Sequence, residues 1–206
     1  MNTIEEVIKY SVPQYIKDAM CSRKEHENKS LAILDWFLGL MGESQELYEE
    51  LEQRFAYEAQ NFDAIVKELG DNIWYFVAIM LEFGFEIPEL EVEANVDVAM
   101  IQGLSLGMKE MCFKLSEDLK HHICHQEDMS VEIKALLETY WTNLQYISAG
   151  MKYNFLAVME LNGAKLQHRY GGSFDIAKSA DRHRREAKFT NTPQYKEIMK
   201  KVLNYV

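Results

Sequence analysis

Gly39-Leu40-Met41-Gly42-Glu43-Ser44-Gln45-Glu46-Leu47-Tyr48-Glu49-Glu50-Leu51, answered downstream by Lys67-Glu68-Leu69-Gly70-Asp71-Asn72-Ile73-Trp74-Tyr75-Phe76, decides how this chain is read. Each phrase carries two carboxylates three positions apart, Glu43/Glu46 and Glu68/Asp71. On an α-helix that spacing puts both side chains on one face, one turn above the other. Around the first pair, Leu40, Leu47 and Leu51 recur at helical spacing; around the second, Ile65, Leu69, Ile73, Phe76 and Met80 do so. The fold expected is therefore all-α, a helical bundle built on a pair of carboxylate-bearing helices.

Four carboxylates facing one another across two antiparallel helices repel unless a hard divalent cation lies between them. Such a donor set is all oxygen, which suits Mg²⁺, with Mn²⁺ as a substitute, better than zinc. The competing reading is a solvated acidic face, and Glu49, Glu50 and Glu52 are read that way. The four named residues differ in position. Glu43 follows the mostly apolar run from Ile33 to Met41, and Asp71 stands just before the apolar run from Ile73 to Leu81. Carboxylates at the lip of a buried stripe need a partner. Gly70, inside a strong helical pattern, costs about 1 kcal/mol against alanine, which suits close helix packing or room for a ligand. On spacing alone, a metal site and an ordinary acidic face both stay open.

These phrases resemble the ExxE…ExxD signature of the MazG-like all-α nucleoside triphosphate pyrophosphohydrolases, relatives of the dimeric dUTPases. A third match is Asn162-Gly163-Ala164-Lys165-Leu166-Gln167-His168-Arg169-Tyr170, followed by Phe174. The resemblance covers residues 14 to 96 and again 155 to 175; the segment 97 to 150 is longer than the family's short connection. It implies one all-α domain over 1–206, with the carboxylate pair in 14–96, a degenerate repeat or insertion in 97–150, a phosphate-binding helix in 151–175 and a basic C-terminal segment in 176–206.

The implied activity is Mg²⁺-dependent hydrolysis of a nucleoside triphosphate to monophosphate and pyrophosphate. Glu43, Glu46, Glu68 and Asp71 would hold the metal, and Glu46 would also activate the attacking water. Lys165 and Arg169 would neutralise phosphate oxygens, Asn162 would bond sugar or phosphate, and Tyr170 and Trp74 complete the candidate substrate contacts. Family resemblance also implies a homo-oligomer, a dimer or a dimer of dimers. Two other classes stay in view: a sensor that binds nucleotide and metal without chemistry, and a purely structural helical assembly protein.

Charge is distributed unevenly. The 206 residues carry a net −11, yet from Lys165 to Val206 there are ten Lys/Arg against four Asp/Glu. An acidic body argues against nucleic acid as the main partner, because phosphate-backbone binding wants a basic face. It suits a small polyanion held by metal at one end and by basic side chains at the other. Hydrophobic content of 48% speaks for a packed core. Cys21, Cys112 and Cys124 show no CxxC spacing, so the expectation is reduced thiols and a cytoplasmic location. The acidic start Met1-Asn2-Thr3-Ile4-Glu5-Glu6 shows no signal-peptide h-region. Ile73 to Leu81 falls short of the roughly 20 residues a membrane span requires, so no membrane partner is expected.

Further helices are expected over 3–10, 14–23, 31–58, 98–123, 130–148 and 193–203, with a helix or turn over 88–95. Asn61 or Asp63 is expected to cap the second carboxylate helix, Gly84 to end it, and Thr192 to cap the last helix ahead of Pro193. A faint echo of the helix pair recurs 64 to 67 positions on, with Gly107 in place of Glu43 and Ala135 in place of Glu68. A degenerate second copy is one reading of it; chance alignment of amphipathic helices is the other. His121, His122, Cys124 and His125 fall short of the four ligands of a structural zinc site. Arg182-His183-Arg184-Arg185, the strongest basic run, fits a solvated face, an interface or a phosphate clamp equally well.

Overall fold

The computed structural model describes residues 10–90 and 96–203. Over those residues the regular structure is all α: α1 Val12–Met20, α2 Lys29–Ala56, α3 Phe62–Phe83, α4 Val98–Cys124, α5 Ser130–Gly150, α6 Phe155–Tyr170, α7 Ile176–Ala180, α8 Arg182–Thr190 and α9 Pro193–Leu203. The all-α expectation is met. The helix expected over 3–10 lies outside the described residues except for Tyr10. The helix or turn expected over 88–95 is irregular at 88–90, and 91–95 lie outside them. No helix among the described residues is long and apolar enough to cross a membrane.

The chain divides into two compact units: Glu25–Met151, and Met1–Lys24 together with Lys152–Val206. In the first, α2 packs on α3 and α4, and α5 packs on α3 and α4, closing a four-helix arrangement. The segment read as a repeat or insertion thus packs directly on the carboxylate pair. The hairpins α2–α3 and α4–α5 have similar helix lengths, 28 and 22 residues against 27 and 21. α3 is the buried centre, with Ile65, Leu69, Ile73, Phe76, Val77, Ala78, Ile79 and Met80 all but inaccessible. Phe76 stacks on Trp141 of α5 at 4.8 Å between ring centroids. Each fully buried Val, Leu, Ile, Phe or Met side chain contributes about 1.5–3 kcal/mol.

Helix ends follow local chemistry, with one departure from expectation. Asn28 caps α2 by accepting from Leu31 N at 3.0 Å, and Asp97 caps α4 through Met100 N at 2.8 Å. α3 ends at Gly84 in the left-handed region, φ 76°, with Phe85 N donating back to Met80 O at 2.8 Å, which satisfies an otherwise orphaned carbonyl. Asn61 occupies the cap position of α3 but makes no capping bond there. Its amide instead donates to the carbonyl and carboxylate of Glu50, tying the α2–α3 turn to the end of α2.

In the second unit α6 is the centre, packed against α1, α7, α8 and α9. Ser11 caps α1, and Pro13 sits in its first turn, where a missing N–H costs nothing. Tyr15, fully buried, donates to Asn162 Oδ1 at 2.9 Å, and Gln167 donates to Asp18 O at 2.7 Å. Thr192 Oγ1 accepts from Tyr195 N at 3.1 Å, the expected cap of α9, which buries Ile198, Met199 and Val202. Lys201 of α9 pairs with Glu160 of α6 at 2.9 Å.

Candidate metal centre

The buried stripe of α2 runs Ala32, Ile33, Trp36, Phe37, Leu40, Ser44, Leu47, Leu51. At about 100° per residue, Glu43 lies about 60° off the centre of that stripe and Glu46 about 120° off it. Glu43 is accordingly half-buried and turned toward α3, while Glu46 is exposed. On α3, which is covered nearly all round, Glu68 is buried at 4% exposure and Asp71 is half-buried. The structure therefore brings together three of the four expected carboxylates. One oxygen each from Glu43, Glu68 and Asp71 lies within 4.8 Å of the other two. Glu46 stands outside this group, because each three-residue step on a helix turns about 60° and carries it farther from the facing helix.

Electrostatics in the group is severe. Burial, followed by the negative charge of Asp71, a hydrogen bond with Glu68 and the charges of Glu68 and Glu46, pushes the Glu43 carboxyl up to about 9. Burial also pushes Glu68 up, opposed mainly by the Lys67 ammonium, whose Nζ lies 3.0 Å from Glu68 Oε1. The other oxygen, Glu68 Oε2, is buried and accepts from no amide, hydroxyl or ammonium group among the described residues, so the Glu68 carboxylate depends further on its hydrogen bond with the Glu43 carboxyl. A buried carboxylate oxygen without a donor is costly. Three hard oxygens within 4.8 Å of one another, on carboxyls that are buried or half-buried, fit a small divalent ion such as Mg²⁺ or Mn²⁺.

Two residues that sequence reasoning did not single out complete the setting. Asn72 is fully buried, and its Nδ2 donates to Glu43 O and to Glu68 O, each at 2.8 Å. Its Oδ1 accepts from the hydroxyl of Tyr140 on α5. The legible signal was an amide between Asp71 and Ile73, one turn after Glu68 and at the head of an apolar run.

Beside the carboxylates runs an aromatic ladder of edge-to-face contacts. His26 meets Trp36 at 4.9 Å, Trp36 meets Trp74 at 5.3 Å, and Trp74 meets Tyr75 at 4.9 Å between ring centroids. Trp74, one turn after Asp71, is half-buried. Close packing of α2 on α3 falls at Gly39, where an added Cβ would lie 2.0 Å from the Tyr75 ring.

Asn162, Lys165, Arg169 and Tyr170 all lie on α6, in the other unit. Asn162 is engaged by Tyr15, and Lys165 and Tyr170 are buried. Arg169 Nη2 pairs with Glu186 Oε2 of α8 at 2.8 Å. From the basic run, Arg184 and Arg185 approach Asp181 at 3.8 and 3.7 Å, and Arg185 also donates to Arg169 O. His121 and His122 approach Glu127 and its carbonyl, an ordinary polar helix end. The three cysteines are free thiols.

Comparison of the chain with protein-family models, with curated proteins and with solved structures finds no match.

Proposed function

We propose that the Glu25–Met151 unit is a divalent-cation site that serves the hydrolysis of a nucleoside triphosphate to its monophosphate and pyrophosphate. The observation that carries the metal half is the convergence of one carboxylate oxygen each from Glu43, Glu68 and Asp71 to within 4.8 Å of one another. The nucleotide half is supported by the resemblance of the two carboxylate phrases to those of the MazG-like pyrophosphohydrolases, and by the acidic body, which favours a metal-escorted polyanion. Glu43, Glu68 and Asp71 would hold the Mg²⁺, which would supply Lewis-acid stabilisation of the charge that develops on the leaving pyrophosphate.

In this reading the chain's own groups divide the work. Glu43, Glu68 and Asp71 are the ligands. Glu46, exposed and one turn from Glu43, is the carboxylate outside that group and takes a proton from the attacking water. Lys67, at Glu68, holds positive charge at the rim. Trp74, one turn beyond Asp71, offers an aromatic surface to the base. Asn162, Lys165, Arg169 and Tyr170 belong to the other unit, and the reading stands on Glu25–Met151 alone.

The test is a panel of ribo- and deoxyribonucleoside triphosphates incubated with Mg²⁺ or with EDTA, with pyrophosphate and orthophosphate separated as products. The expected result is Mg²⁺-dependent pyrophosphate with an equal amount of monophosphate, abolished in Asp71→Asn and reduced at least a hundredfold in Glu46→Gln. Nucleotide binding without product would make the protein a sensor. Absence of both would remove the nucleotide from the reading.

A further inference from the structure

We infer that Asn72 and Tyr140 are positioning residues for the carboxylate group, fixing the separation of Glu43 and Glu68; the inference rests on the metal reading above. The Asn72 side chain carries two N–H donors and a carbonyl oxygen with two lone pairs. Both donors and one lone pair are used. The two donor contacts reach the backbone carbonyls of Glu43 and Glu68, which are the two ligand residues contributed by different helices. One amide thus clips α2 to α3 at the level of the ligands, rather than anywhere else along helices of 28 and 22 residues.

The clip has a lock. Tyr140, on α5 and 2% exposed, donates its hydroxyl to Asn72 Oδ1. With that acceptor held, the amide keeps its N–H groups on the two carbonyls; a flipped amide would set its oxygen against two other oxygens. Leu69, Ile73, Leu137 and Leu144 are fully buried on the same two helices, and water offers no replacement partner in such a core. Helix α5 therefore contributes to the carboxylate group without supplying a ligand. Partners one step behind metal ligands commonly change metal affinity 10–100-fold when removed.

Tyr140→Phe deletes one oxygen atom and is the decisive variant, with Asn72→Asp as the second. Leu144→Ala, in the same helix, serves as a control for stability loss alone. Mn²⁺ affinity is read by electron paramagnetic resonance, stability by urea denaturation, and exchange of the Asn72 side-chain amide protons by ¹⁵N NMR. The expected result is a tenfold or greater weakening of Mn²⁺ binding in Tyr140→Phe with a folded circular-dichroism spectrum, and wild-type affinity in Leu144→Ala. Wild-type affinity in both Tyr140→Phe and Asn72→Asp, or an equal loss in Leu144→Ala, would overturn the inference. If the wild-type protein binds no Mn²⁺, the metal reading fails separately. Positioning is then judged on the metal-free protein: the Asn72 side-chain amide protons exchange at least tenfold faster in Tyr140→Phe than in wild type, and equal exchange in the two proteins would overturn it.

Discussion

Raising the pH should tighten Mn²⁺ binding, and the size of the effect follows from Glu43. With its carboxyl pushed up to about 9 by burial and by Asp71, Glu68 and Glu46, about a hundred molecules hold that proton at pH 7 for each that does not. A cation that takes Glu43 as a ligand must displace it. The apparent dissociation constant should therefore fall about tenfold per pH unit, or about 30-fold between pH 6.5 and 8.0, with close to one proton released per ion. Isothermal titration calorimetry in buffers of differing ionisation enthalpy measures both quantities. Glu43→Gln should bind more weakly and lose the pH slope. A dissociation constant indifferent to pH, with no proton released, would refute the reasoning.

The same shift fixes the sign of stability against pH for the metal-free protein. Glu43 has a folded value above its unfolded one, so the folded state binds more protons between about pH 5 and 9. Its contribution is fully present below the unfolded value and is lost as pH rises, by at most about 1.4 kcal/mol per unit. Saturating Mn²⁺ should flatten that decline.

Three further outcomes test the packing. Gly39→Ala places a methyl 2.0 Å from the Tyr75 ring, and the forced ring movement should outweigh the helix-propensity gain for a net loss of about 1–2 kcal/mol in urea denaturation, with altered tryptophan fluorescence from Trp74. Trp141→Ala, which removes the fully buried stacking partner of Phe76, should lower stability by about 3–5 kcal/mol on the same assay. Arg169→Met leaves Glu186, 17% exposed, without its 2.8 Å partner; a loss of about 2 kcal/mol is expected, recovered in part by the double change with Glu186→Gln.

What the sequence made legible was periodic. Helical spacing placed α2, α3, α4, α5 and α9 within a few residues of their observed ends, because buried stripes and caps at Thr192 and Gly84 are local signals. The pairing of Glu43 with Glu68 and Asp71 was legible for the same reason. The exclusion of Glu46 was not, since an i, i+3 pair shares a face only approximately and the facing helix decides which member is covered. Asn61 holds the cap position the sequence suggested but makes no capping bond, because Glu50, eleven residues away, takes its amide. Asn72 and Tyr140 are separated by 68 residues, and nothing in a helical pattern announces a contact between them.

Because Met1–Lys24 builds a unit with Lys152–Val206, the order of synthesis leaves α1 waiting. Its partner α6 begins at Phe155, so at about 5–20 residues per second roughly 7–27 s separate the two helices on the ribosome. Nine residues form no stable helix alone, and Tyr15 stays solvent-exposed until Asn162 is made. The whole Glu25–Met151 bundle, by contrast, is complete before α6 is begun. Truncated chains released after Met151 should thus carry a finished carboxylate bundle with an unfolded leader, whereas a chain stalled within α3 would hold Glu43 and Glu68 without the tyrosine that locks Asn72 between them.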